Sequence, residues 1–217
     1  QTTNTKEMKN WIILLLCAAL VILSVRLSVT AKAETENDMK DTPKGGNASI
    51  ENIMTRSSVR TYTAELVDSA DVITLLKAGM AAPTAMNRQP WVFVVITDAA
   101  RRAAMAAELP YCKMAATAPL LIAVCGDKAK FIEDAPEYWV QDCSAATENI
   151  LLAAHALGLG AVWTGVYPVQ DRVEMVSKAL GLPEGIIPLN IICIGHPDSD
   201  NPAKDKWDPA KVHYNMF

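Results

Sequence analysis

The 217 residues are 51% hydrophobic and 20% charged, enough apolar material for one substantial globular core and too much for a chain that stays unfolded. The formal charge is −4, and because residues 1–33 hold four basic side chains against one acidic, the remainder carries −7. No basic stripe survives to bind nucleic acid or an anionic membrane surface, so neither is expected as a partner.

At the N-terminus, Lys9 precedes an unbroken apolar run of 13 residues, Trp11 to Leu23, which ends in a weaker stretch closing on Ala31-Lys32-Ala33. That is the layout of a signal peptide. Ser24 and Arg26 interrupt the run before the roughly 20 residues that a spanning helix needs, so cleavage after Ala33 is expected over a permanent anchor. Cys17 lacks the small residue normally wanted before a lipidated cysteine, which makes a lipid anchor the lesser alternative. Met8 is the expected initiator, with the first seven residues upstream sequence. An exported protein follows, periplasmic or membrane-tethered, with contact to the membrane only through an uncleaved signal or lipid; if this N-terminus is not a working signal, the protein is cytoplasmic.

Residues 34–48 are polar and contain Pro43, Gly45 and Gly46, too little apolar surface to fold, and read as a tether to a domain spanning 49–217. Ser49 starts a short helix through Met54, and a second helix runs from Asp68 to Ala81 with Val72, Leu75, Leu76 and Met80 on one face. Trp91 to Ile96 is a buried strand, Asp98 opens another helix, and Pro119 to Cys125 is a second buried strand. Glu137 to Leu157 forms a long helix too apolar to be solvated on most faces. Ala161 to Gly165 and Ile186 to Ile194 supply further strands, separated by a helix from Gln170 to Leu180 that stops at Gly181. Helices alternating with buried strands predict a layered α/β or α+β domain with helices on both faces of one sheet.

Two short segments carry chemistry. In Arg56-Ser57-Ser58-Val59-Arg60, two guanidiniums four residues apart with hydroxyls between them offer charged and neutral donors to one dianionic group such as a terminal phosphate. In Pro83-Thr84-Ala85-Met86-Asn87-Arg88-Gln89-Pro90-Trp91, two prolines bracket a stretch that cannot continue as helix, and the amides of Asn87 and Gln89 suit the polar edge of a planar ring. Other candidates are weaker. Cys112, Cys125, Cys143 and Cys193 lack C-x-x-C spacing and a clustered histidine pair, so neither zinc nor thioredoxin-like chemistry is expected; Cys125 and Cys193 read as small buried hydrophobes, although an exported location permits a disulfide. His155 reads as a packing residue, and neither it nor His196 nor His213 has a triad or metal partner nearby in sequence. Gly158-Leu159-Gly160 lacks the third glycine and later acid of a dinucleotide fingerprint and is better explained as a helix stop entering a strand.

The combination resembles the nitroreductase family of FMN-dependent oxidoreductases. Arg56, Ser58 and Arg60 match its R-x-S-x-R phosphate motif, and Ala82 through Trp91 match its A-P-[ST]-x-x-N-x-Q-P-W segment. Gly158 to Pro168 is similar to its glycine-rich strand beside the flavin, and Ile194-Gly195-His196-Pro197 to its G-x-P turn. Lys204-Asp205-Lys206 resembles the basic stretch that reaches the phosphate, with Lys206 where many relatives carry arginine.

The resemblance implies an α+β nitroreductase-like fold, a three-layer α/β/α sandwich around a mixed sheet, and an intertwined homodimer with flavin sites built from both subunits. FMN would be held by Arg56, Ser57, Ser58, Arg60, Lys204 and Lys206 at the phosphate, and by Pro83, Thr84, Ala85, Asn87, Gln89, Trp163, Thr164 and Gly165 around the ring. The flavin itself carries the electrons, so no catalytic side chain is assigned. The implied reaction passes two electrons from NADH or NADPH to a nitroaromatic, quinone or similar small flat acceptor. Two alternatives stay open: reductive dehalogenation, for which the connection between Arg101 and Ala118 leaves little room for the usual lid, and flavin binding without turnover. Export would favour a donor other than a nicotinamide, such as a protein electron carrier or membrane quinol.

Overall fold

The computed structural model describes residues 47–217, so the expected signal sequence and most of the expected tether lie outside the described residues. Helix α1 (Ala48–Thr55) is followed by α2 (Ser69–Met80), strand β1 (Trp91–Ile96), α3 (Ala99–Glu108), β2 (Leu120–Asp127), α4 (Tyr138–Ala156), β3 (Gly160–Gly165), α5 (Gln170–Leu180) and β4 (Ile186–Gly195). Every expected element is present, with ends shifted by one or two residues. Local signals explain the boundaries: Asp68 and Asp98 accept backbone N–H bonds at the starts of α2 and α3, and Gly181 adopts the left-handed conformation that closes α5.

The strands form one sheet in the order β1-β2-β4-β3. The resemblance implies a mixed sheet, but these four strands pair antiparallel throughout; the parallel component is a single bridge between Ser58 and Ala161. That bridge lays the arginine segment along the outer edge of β3, with Val59 N–H donating to the Ala161 carbonyl at 3.0 Å. Pro188 has no N–H to give the ladder, and beside it the register of β2 against β4 slips between Val124 and Cys125.

Alternation along the central strands creates two cores. Leu120, Ile122 and Val124 of β2 face one way and pack with Leu75 of α2 and Cys143, Ile150, Leu151 and Ala154 of α4. Leu121, Ala123 and Cys125 face the other way, with Met105 of α3 and Val176 of α5. Helices therefore cover both faces, giving the three-layer sandwich that the sequence suggests. The long α4 is central because eight of its side chains are buried; Gly79 of α2 approaches so closely that an added Cβ would meet Ile150 at 3.0 Å.

All four cysteines in the described residues are free and buried. The disulfide that export would permit is not formed, and the nearest pair, Cys112 and Cys193, has its sulfurs 4.0 Å apart. Burial pushes the thiols of Cys125 and Cys143 up to about 12, with Asp142 adding to the shift at Cys143. His155 is half-buried, and its Nε2 lies 2.9 Å from the Thr55 hydroxyl, joining α4 to α1.

Two predictions follow from this packing. A Cβ at Gly160 would fall 2.6 Å from Val59 Cγ1 and 2.7 Å from its Cβ, so Gly160→Ala must push the arginine segment off the β3 edge; urea unfolding should show a loss of about 1–3 kcal/mol. The second concerns alkaline pH. The unfolded chain loses its thiol protons near 9.0 while folded Cys125 and Cys143 keep theirs to about 12, so the stability is complete below 9.0 and declines as pH rises through that window. Unfolding free energies should fall by up to about 1.4 kcal/mol per pH unit for each thiol, and less steeply in Cys125→Ala.

Candidate functional site

The helix α1 ends one residue before Arg56, and the chain then runs straight along β3, so the side chains of residues 56–60 splay to the two sides of an extended edge. Arg56, Ser57, Ser58 and Arg60 line a pocket of about 400 Å³ together with Asp200, Asn201, Pro202, Lys204 and Lys206. Two segments about 145 residues apart in sequence thus meet, bringing four cations against one carboxylate around a small polar hollow. Such a concentration of positive charge fits a dianionic phosphate.

The donors in this cradle are unequal. Arg56 Nε lies 3.3 Å from Glu148 Oε1 on α4, so its charge is already partly answered. Arg60 has no carboxylate partner among the described residues; its nearest acceptor is the Ser58 carbonyl at 3.4 Å. The Ser57 hydroxyl lines the same pocket and donates to the Asn201 carbonyl at 2.6 Å. Its role here is to pin the two walls of the cradle together.

Arg60 also lines a second, larger cleft of about 710 Å³ whose walls are Pro110, Tyr111, Lys113, Met114, Val162, Trp163, Thr164, Gly165 and Arg172. The cleft volume is in the range of sites for drug-sized molecules, and its lining mixes flat or apolar side chains with a few polar groups. Trp163, Thr164 and Gly165 are therefore brought to the same groove as the cradle, with Arg60 shared between them. Beneath them the Tyr62 hydroxyl sits 2.6 Å from the Val59 carbonyl and 3.0 Å from that of Cys193, and burial holds its proton in place well above the usual phenol range.

Neither cleft includes the Pro83 to Trp91 segment. That segment enters β1, whereas the arginine segment lies on β3, and these are the opposite edges of the sheet. Three inter-strand steps separate β1 from β3 and a fourth reaches the arginine segment outside it, about 19 Å in all. Within the segment, Gln89 Nε2 donates to Asn87 Oδ1 at 2.8 Å, so the two amides close on each other. The Gln89 N–H donates to Thr84 Oγ1 and the Ala85 N–H to Asp142 Oδ1 at 2.9 Å. Met86, Asn87 and Gln89 all have positive φ, at 51°, 53° and 49°. A left-handed conformation costs about 1–3 kcal/mol at a residue that is not glycine and concentrates where binding is built. Met86 is 74% exposed at the tip, so the loop presents its strained residues outward.

Sequence reasoning missed Asp142, which is only 6% exposed and anchors this loop from α4, as well as Glu148 and Asn201. It also missed Tyr111, Lys113 and Arg172 on the rim of the large cleft. An acid inside the apolar α4 was the one available signal, since a buried carboxylate requires a partner. Among the described residues no group of three or more histidine, cysteine or acidic side chains could hold a metal, and no helix is long and apolar enough to cross a membrane.

Comparison with known proteins gives a consistent result. The model of the family described as "Nitroreductase family" matches residues 53–110 and 99–196. A protein of Methanothermobacter thermautotrophicus provisionally named NADH dehydrogenase/NAD(P)H nitroreductase is 42% identical over 168 residues, covering 77% of this chain and 87% of its own. A crystal structure from Bacteroides thetaiotaomicron with the same provisional name has a TM-score of 0.76 at 48% identity, covering 79% of this chain and 99% of the other. The NADPH:FMN oxidoreductase of Vibrio harveyi, solved with NAD+, has a TM-score of 0.72 at 27% identity, covering 79% and 78%.

Asp142→Ala should release the Ala85 N–H and leave a strained loop without its anchor. Amide exchange at residues 84–89 should accelerate, and the stability should drop by about 1–3 kcal/mol; unchanged exchange at Ala85 would contradict the anchoring role.

Proposed function

The chain belongs to the nitroreductase family, and on that footing we propose that it passes two electrons from NADH or NADPH to a nitroaromatic, quinone or similarly flat acceptor. It is an FMN-dependent nitroreductase-like oxidoreductase. The observation that carries the reading is the shared position of Arg60, which joins a cationic cradle to a larger cleft walled in part by flat and apolar side chains. A cofactor with a phosphate at one end and a flat ring system at the other needs both halves, and the residues present fit it.

FMN, when bound, supplies the electron-transfer chemistry; the chain binds and orients it. Arg60, Lys204 and Lys206 are proposed to neutralise the phosphate, with Arg56 contributing less because Glu148 competes for it. Backbone groups of Trp163, Thr164 and Gly165 line the ring end, and the flat walls of the cleft exclude water from one side. Pro83, Thr84, Ala85, Asn87 and Gln89 are proposed to complete the ring environment from a second copy of the chain, since within one copy they stand on the far edge of the sheet. The homodimer is supported by the exposed apolar side chains of α1, with Ile50 and Ile53 each 52% exposed and Met54 69%, and by the exposed tail through Phe217.

Reductive dehalogenation ranks lower: α3 and the turn Lys113–Ala116 occupy most of the connection where a lid would be inserted. We also propose export, on the strength of the apolar run from Trp11 to Leu23; a donor other than a nicotinamide is the alternative that export would favour.

The test is the visible spectrum of the purified full chain supplied with FMN and titrated anaerobically with NADH and NADPH. Bound flavin that bleaches supports the reductase; bound flavin that stays oxidised points to another donor or to binding without turnover. Arg60→Ala should weaken FMN retention by about 10- to 100-fold, as expected for a lost charge-assisted bond, and Arg56→Ala by distinctly less. Equal losses in both variants would contradict the unequal cradle described above.

A further inference from the structure

The large cleft is unusual in its charge. Its lining includes Arg60, Lys113 and Arg172 but no aspartate or glutamate. Arg60 stands at the junction with the phosphate cradle, which leaves Lys113 and Arg172 on the ring side. Among the described residues neither has a carboxylate within 4.0 Å, and the only acceptor near Arg172 is the Gly165 carbonyl at 3.4 Å. The same lining carries flat or apolar surfaces, those of Tyr111, Met114, Val162 and Trp163. Tyr111 is held at φ 65° with its side chain 81% exposed, a conformation that a bulky residue rarely adopts without a reason in function.

Resting on the flavoenzyme reading above, we propose that this cleft selects acceptors carrying a carboxylate or similar anion on a flat ring. Lys113 and Arg172 pair the anion, and the Tyr111 and Trp163 surfaces flank the ring. The physical ground is that unpaired cations at the mouth of a cleft with low-dielectric walls focus the field into it and raise the local concentration of anions. A neutral nitroaromatic or quinone gains the stacking but not the pairing. The protein as a whole carries a charge of −4 and repels such acceptors, so the selectivity has to come from this local pair of cations.

The experiment uses the flavin-loaded full chain with oxidised flavin and no donor, so that ligands bind without turnover. Perturbation of the flavin spectrum gives dissociation constants for 4-nitrobenzoate and for its uncharged counterpart 4-nitrobenzamide. The benzoate should bind at least about 5-fold more tightly, and the ratio should approach one in Lys113→Gln with Arg172→Gln, as expected for partly exposed ion pairs. Raising the salt to about 1 M, where screening acts within about 3 Å, should shrink the wild-type preference as well, an arm that does not depend on any variant folding. Equal affinities in the wild type would overturn the proposal, and so would a benzoate preference that survives both substitutions. Substitutions that leave the ratio intact but raise the KM for NADH or NADPH would assign the cations to the donor's phosphates instead and overturn it too. A chain that retains no flavin would be recognised from the spectrum alone and would sink the underlying reading, and this one with it.

Discussion

The strand order β1-β2-β4-β3 is the constraint on which the rest of the molecule depends. It puts the loop before β1 and the arginine segment on β3 at opposite edges of a sheet whose two faces are already covered by helices. The helices leave the edges as the remaining places where backbone and polar side chains can face a ligand. One edge carries a cradle of positive charge and the other a loop of strained backbone. In the dimer proposed above, a second copy brings the opposite margin alongside, and isologous pairing does so twice.

Electrostatics then decides how the cradle works. Positive charges gathered at one place repel each other unless something answers them, and Glu148 answers one, leaving Arg60, Lys204 and Lys206 without a carboxylate partner among the described residues. The hydroxyl of Ser57 holds the 199–206 stretch against the arginine segment. The loop before β1 pays in a different currency: three left-handed residues are held by Asp142, Thr84 and the mutual bond of Asn87 and Gln89. A loop fixed in this way is ready for its ligand before binding, so less ordering entropy is lost when the ligand arrives.

Much of this was legible in the sequence because it is local. Periodicity and capping located the α-helices and strands of the described residues, since Asp68, Asp98 and Gly181 act within a turn of where they stand. The two motif segments were legible as chemistry, and the cradle gathers Arg56, Ser57, Ser58, Arg60, Lys204 and Lys206 in one pocket. What sequence could not give is pairing across distance. Nothing in the string says that Glu148 reaches Arg56, that Ser57 reaches Asn201, or that Tyr111, Lys113 and Arg172 share one rim. The strand directions were not legible for the same reason: a buried apolar run marks a strand without naming its neighbour, and only the topology shows that sequence neighbours β1 and β2 pair antiparallel across α3.

The central claim is that one flavin site needs the cradle of one copy and the loop of another, and subunit complementation tests it most directly. Arg60→Ala disables the cradle and a double substitution Asn87→Ala with Gln89→Ala disables the loop; each homodimer alone should lose flavin. Co-refolded hybrids should regain one intact site per pair, seen as recovered flavin absorbance in the mixed dimer, because both defects fall together in the other site. No recovery in verified hybrids would mean that cradle and loop act within the same copy, and would contradict the account.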